Sequence, residues 1–267
     1  MRVSVIVPVH NALEYVWNSL PAVYSDLEPG DTLWMIDDCS RTETKDYLIE
    51  TQADLMERKV PSRLVHNSKQ QLFTRTCNRG MRLAYHSNKP EAMVLVNTDC
   101  ILQPGWLAGI KDGFTDPGVG IIGYPDHPNG RAPFFKIEMP PSYITGHCIG
   151  FRTLMLEKIG LLCETDTDGR GAPELAPYKG QAHIGSERIL CWKANMHGWK
   201  SVYCHKLLVQ HEAGKSWNHD LGWLANFNLE MLWQPCDTLE LPTFYDAKDM
   251  MSEELLGTRD PSGLANR

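Results

Sequence analysis

Four short runs of β-branched and aliphatic residues, separated by three stretches of helical periodicity, fill the first 96 positions of this chain. The runs are 3–9 (Val-Ser-Val-Ile-Val-Pro-Val), 32–36, 63–66 and 93–96. Between them Leu13, Val16, Leu20 and Val23 recur at helical spacing, a second helix is expected to begin near Thr42, and a third is predicted over 73–85. Pro29-Gly30-Asp31 marks a turn ahead of the second run. Strands alternating with helices build a mostly parallel sheet covered on both faces, so the expected class is α/β. Such a sheet gathers its strand C-termini along one edge, where ligands bind.

The expected edge is polar and acidic. The first strand runs into His10-Asn11, the second into Asp37-Asp38 and the fourth into Asn97-Thr98-Asp99. Each has an ordinary alternative role, because Asn and Asp are common turn and cap residues. Asn11 can cap the helix that follows it, and Asp37 or Asp38 the helix beginning near Thr42. Three such ends converging at one edge point instead to a site.

Beyond residue 115 the character changes. Residues 116–141 are rich in Gly, Pro and Asn, with strand-like pieces at 119–122 and 134–138 and another at 143–151. A helix begins over 154–159, and 163–179 reads as a long Gly/Pro/Asp-rich loop. A helix is predicted over 185–197, followed by two short strands to Val209, and the tail carries helical patterns at 217–233 and 244–256.

Composition narrows the function. The 267 residues are 42% hydrophobic and 22% charged, enough for a sizeable core. A net charge of −7 gives no global reason to expect nucleic acid or an anionic membrane as partner. No apolar run approaches the ~20 residues that span a bilayer, and 3–9 is too short for a signal peptide. The eight cysteines form no Cys-x-x-Cys pair. Reduced thiols in a cytoplasmic compartment are the expectation.

Four motifs then appear in order. They are Val3-Ser4-Val5-Ile6-Val7-Pro8-Val9-His10-Asn11, Ile36-Asp37-Asp38-Cys39-Ser40, and Leu95-Val96-Asn97-Thr98-Asp99 with Pro104-Gly105-Trp106-Leu107. The fourth is Gly185-Ser186-Glu187-Arg188-Ile189-Leu190-Cys191, with Gly198-Trp199-Lys200 and His211-Glu212-Ala213-Gly214-Lys215-Ser216. Together they resemble family 2 glycosyltransferases, most closely the branch containing rhamnosyltransferase-like enzymes. The resemblance implies a GT-A fold, with a catalytic domain over 1–215 and a helical extension over 216–267 packing on it. It also implies an inverting hexosyl- or pentosyltransferase that moves a sugar from a UDP- or dTDP-sugar, UDP favoured, to an acceptor hydroxyl.

Site residues follow from the same likeness. A leaving nucleoside diphosphate concentrates negative charge that Mn²⁺ or Mg²⁺ can neutralise, and hard cations take oxygen ligands. Asp99 is the expected carboxylate ligand, and His211 resembles the residue that closes on the metal or diphosphate. Pro8, Val9, Asn11, Asn97 and Thr98 resemble donor-contacting positions. Asp37 or Asp38 is expected to hold the nucleoside. Glu187 is the expected general base for the acceptor hydroxyl, with Ser186 where the family has a first acid. Before the third helix, Phe73, Asn78 and Gly80 fit the family, and Asn78 is expected to shape the donor pocket. Gln70 and Leu72 stand where Asn and Gly are expected.

Between Arg58 and Arg82 lie seven Lys or Arg residues and no acid. They form a solvated face, meet the donor diphosphate through Lys69 or Arg75, or serve a nucleic-acid acceptor carrying a hydroxylated base. A glycan is the other acceptor class, and Trp217, Trp223 and Trp233 offer stacking faces for either. A non-catalytic nucleotide-sugar or glycan-binding module is the alternative function. A nucleotidyltransferase is disfavoured, since no Gly-rich loop follows the first strand.

Overall fold

The computed structural model describes residues 1–124, 144–164, 186–204, 208–211 and 241–246. Its strands are β1 (Val3–Val9), β2 (Thr32–Asp37), β3 (Ser62–His66), β4 (Ala92–Val96), β5 (Cys100–Leu102), β6 (Val119–Gly123), β7 (Cys148–Arg152), β8 (Lys200–Tyr203) and β9 (Val209–His211). Its helices are α1 (Leu13–Ser25), α2 (Thr42–Glu57), α3 (Leu72–Asn88), α4 (Trp106–Gly113), α5 (Thr153–Ile159) and α6 (Ser186–Met196). Seven strands form the central sheet in the order β3-β2-β1-β4-β7-β6-β8, and β5 pairs with β9 in a small second sheet. All neighbours in the central sheet are parallel except β7, which runs against both β4 and β6. This is the mostly parallel α/β sheet expected from the alternating pattern.

The two-residue period of the strands divides the core. Val3, Val5, Val7 and Val9 of β1, Leu33 and Met35 of β2, and Val94 of β4 pack on one face with α1, α2 and α4. Ile6, Trp34, Ile36, Met93 and Leu95 pack on the other with α3, α5 and α6. Each fully buried aliphatic side chain contributes about 1.5–3 kcal/mol, so both faces resist loss of any strand. α3 packs tightly on the sheet. A Cβ on Gly80 would stand 2.6 Å from Ile6 Cγ2 and 3.0 Å from Ile36 Cγ1, so only glycine permits that crossing.

Three expectations change. Asn11 does not cap α1, whose cap position is Ala12 with no side-chain bond; Asn11 Oδ1 accepts instead from the backbone N–H of Arg41. Neither Asp37 nor Asp38 caps α2, which begins after Arg41 without a side-chain cap. The strand read at 143–151 begins only at Cys148, because 146–147 form a turn. The segment 134–138, most of the loop 163–179 and the helical patterns of the tail lie outside the described residues, apart from 244–246. There the chain turns rather than coils into a helix.

Candidate functional site

The strand order reverses direction between β1 and β4, so the crevice at their C-terminal ends is the place where an open α/β sheet binds ligands. The polar ends of β1 and β2 meet there. Val9 O accepts from the Asp38 N–H at 2.7 Å, His10 Nδ1 donates to Asp38 O at 2.8 Å, and the Asn11 N–H donates to Ser40 Oγ at 2.8 Å. Because His10 Nδ1 faces a carbonyl, its Nε2 is the acceptor, with amide nitrogens of Asn11 at 3.0 Å and Gln70 at 3.2 Å.

Asp37 and Asp38 are both buried and point into the loops around them. Asp37 Oδ1 accepts from the Ser40 N–H at 2.9 Å, and Oδ2 accepts from His66 Nδ1 at 2.8 Å. Burial raises the carboxyl of Asp37, but the hydrogen bonds from His66 and Ser40 outweigh it and leave the group below its ordinary value. Asp38 accepts from Asn67 Nδ2 and the Gln71 N–H at 2.7 Å each, and from the Leu72 N–H at 2.8 Å. It therefore caps α3 from another loop, satisfying amides that α3 leaves open. Carboxylate oxygens can each accept more than one bond, so some acceptor capacity remains at both acids.

The turn after β4 carries Asn97, Thr98 and Asp99. The Asn97 N–H bonds His147 O at 2.8 Å, continuing the β4–β7 ladder by one residue. β5 then pairs Cys100 with His211 of β9. That pairing brings His211 Nε2 to 3.3 Å from Asp99 Oδ1. Asn97 Oδ1 and Asp99 Oδ1 are buried oxygens that take no hydrogen bond among the described residues. Buried acceptors left this way carry a desolvation cost that a cation removes. Two cis ligands at ~2.1 Å from an octahedral ion lie roughly 3 Å apart, so the Asp99 oxygen and the His211 nitrogen are spaced to share one divalent cation. Among the described residues there is no cluster of three or more metal-ligating side chains. Thr98 lies half-buried beside them.

Glu187 opens α6 and is half-buried. Ser186 before it is fully buried and accepts from Thr74 Oγ1 at 3.3 Å, which pins α6 to the first turn of α3. Glu187 Cδ lies 3.4 Å from where a Cβ would stand on Gly146, so its carboxyl packs over bare backbone next to His147. Burial pushes the Cys77 thiol well up, and the charges of Asp38 and Glu187 push it further. Asp38 caps α3, Ser186 ties α6 to α3, Glu187 packs on Gly146, and His147 stacks on His211 beside Asp99.

The basic stretch is not one cationic face. Arg79 is buried and donates to His66 O and Asn67 Oδ1, and Arg82 is buried against Glu164 at 3.2 Å. Arg58 pairs with Asp54 at 3.2 Å. Arg75, in the first turn of α3, is half-buried and makes no hydrogen bond or ion pair among the described residues, and Lys69 is exposed. Asn78 is fully engaged: its amide nitrogen donates to Leu162 O and Glu164 Oε1 at 2.8 Å, and Oδ1 accepts from the Leu162 N–H at 3.1 Å. Its side chain is therefore committed to 162–164. His10, Gln70, Asn67, Thr74, His66 and His147 were not singled out as site residues. His10 and His66, at strand ends, and Gln70, in the segment before the third helix, had a legible signal.

The family model for glycosyl transferase family 2 matches residues 4–160, more than half the chain. The chain belongs to glycosyl transferase family 2. Solved structures agree on the fold of this family 2 chain. A mannosyltransferase, PcManGT from Pyrobaculum calidifontis in complex with GDP-Man and Mn²⁺, is 17% identical with a TM-score of 0.61, covering 80% of this chain and 57% of that one. TarS 1-349 of S. aureus in complex with UDP-GlcNAc is 16% identical with a TM-score of 0.55, covering 79% of this chain and 58% of that one. This family 2 chain therefore has the GT-A fold and spans under three fifths of either structure. No curated protein matches it in sequence. Among the described residues, no helix is long and apolar enough to cross a membrane.

Proposed function

We propose that this protein is a metal-dependent, inverting glycosyltransferase that moves a sugar from a UDP- or dTDP-sugar to an acceptor hydroxyl. The placement in the rhamnosyltransferase-like branch is part of the same reading. The observation that carries it is the approach of Asp99 Oδ1 to His211 Nε2, 3.3 Å apart at the switch point of the sheet. The relatives in complex with GDP-Man and Mn²⁺ and with UDP-GlcNAc support a nucleotide sugar as donor and Mn²⁺ or Mg²⁺ as cofactor.

Asp99 and His211 would hold the cation, which when bound supplies positive charge against the departing diphosphate. Asp37 and Asp38, with the backbone of Pro8, Val9 and Asn11, form the nucleoside end. Asn97 and Thr98 face the ribose and sugar. Arg75 and Lys69 are cations available for the diphosphate, as no carboxylate among the described residues pairs with them. Glu187 takes the proton of the acceptor hydroxyl as that oxygen bonds the anomeric carbon. On the opposite face the bond from that carbon to the diphosphate oxygen breaks, and the nucleoside diphosphate leaves with the electron pair.

A glycan hydroxyl is the favoured acceptor. A hydroxylated base in DNA would need a cationic strip, and Arg58, Arg79 and Arg82 are already committed elsewhere. Glu187→Gln tests the chemistry: turnover should fall by at least about a hundredfold while donor binding is unchanged. Unaltered turnover in E187Q would remove Glu187 as the base, and donor binding without turnover in the wild type would favour a binding module.

A further inference from the structure

His147 was not among the expected site residues, yet the fold sets it against the Asp99–His211 pair. It lies one residue before β7, opposite Asn97 in the extended β4–β7 ladder. His211 lies opposite Cys100 in the β5–β9 ladder. The turn at 97–100 is therefore gripped from two sides, by a histidine on each. The two imidazoles meet face to face, with ring centroids 4.7 Å apart and planes within 9° of parallel. The His147 ring is itself fixed. It is buried, its Nδ1 lies 2.9 Å from Thr145 Oγ1, and its backbone oxygen accepts from the Asn97 N–H at 2.8 Å and from Cys100 Sγ at 3.2 Å.

Stacking against a flat, anchored partner limits how the His211 ring can turn, and in the orientation adopted Nε2 lies 3.3 Å from Asp99 Oδ1. Residues that orient a ligating histidine commonly govern metal affinity as strongly as the ligand's own placement. We propose that His147 is a positioning residue for the metal site: its ring, stacked on His211, holds His211 Nε2 toward Asp99. This rests on the metal reading given above.

The test is Mn²⁺ affinity of the full chain, with and without UDP, read from the loss of the free-ion EPR signal, alongside the melting temperature. H147A should bind Mn²⁺ at least about tenfold more weakly than wild type. H147F keeps a flat face and should recover affinity toward the wild-type value, a rescue that a purely structural loss does not produce. Wild-type affinity in H147A, or no recovery in H147F, overturns the proposal. Should H147A not fold, T145V loosens the ring while leaving it in place and should weaken binding; unchanged affinity in T145V would then overturn the proposal. Absence of Mn²⁺ binding by the wild-type protein overturns the metal reading itself, which separates the two failures.

Discussion

Leu72 holds a φ of 69°, in the left-handed region where a branched side chain is strained. The resemblance places a glycine at this position, and the backbone keeps the glycine-like conformation with leucine in it. The Leu72 and Gln71 amides are held there by the two oxygens of Asp38. Asn11, Ala12 and Cys39 also have positive φ and lie at the same sheet edge, a concentration that tracks binding sites more than packing needs. Leu72→Gly should raise stability by about 1 kcal/mol in urea denaturation, by removing that strain; a loss of stability would contradict it. Asp37 makes a second prediction at this scale. Its folded pKa lies below the ordinary 3.8, so its stabilising contribution is complete above about pH 4 and disappears as pH falls through the folded value. D37N should be less stable than wild type at pH 7, and the gap should close as pH drops below 3.8. A gap that stays constant between pH 7 and pH 3 would contradict the His66 and Ser40 bonds as its source.

Among the elements, α3 organises the molecule. Its N-terminus is capped by Asp38, its first turn ties Ser186, and its middle ties Leu162 and Glu164 through Asn78. Its last turns are strapped by 241–246. Arg82 Nε donates to Thr243 O at 2.9 Å, His86 Nε2 donates to Phe244 O at 2.8 Å, and Phe244 stacks on Tyr85 with centroids 4.0 Å apart. Leu241 and Pro242 close over Gly160. Of the extension expected over 216–267, only 241–246 are among the described residues. Phe244→Ala should cost about 3–5 kcal/mol, because Phe244 is fully buried and its stack is lost; a loss under ~1 kcal/mol would mean the strap is not integral. The helices and parallel strands of the first half were legible because each is long enough to show its period. β5 was not, since three residues carry no period, and it is the strand that brings His211 to Asp99. The antiparallel insertion of β7 between β4 and β6 was equally hidden, because strand order depends on long-range pairing rather than local pattern. His147 could not be placed without it.

Across the whole molecule, the strand-end acids were readable one by one, and their place on one sheet edge followed from the parallel order of β2, β1 and β4. What each carboxylate does was less accessible. Asp38 is spent on a helix 33 residues further on, a pairing that only the folded register defines. The same holds for Arg79 and Arg82, which look solvated in a basic stretch and are buried in the fold. The account depends on a cation joining the Asp99–His211 pair to a nucleoside diphosphate. Calorimetric titration of UDP into wild type and D99A, each with Mn²⁺ and with chelator, tests this directly. Wild type should bind UDP at least about tenfold more tightly with Mn²⁺ than with chelator, and D99A should lose that increment while keeping the metal-free affinity. Equal UDP affinity with and without Mn²⁺ in the wild type, or an unaltered Mn²⁺ increment in D99A, would contradict it.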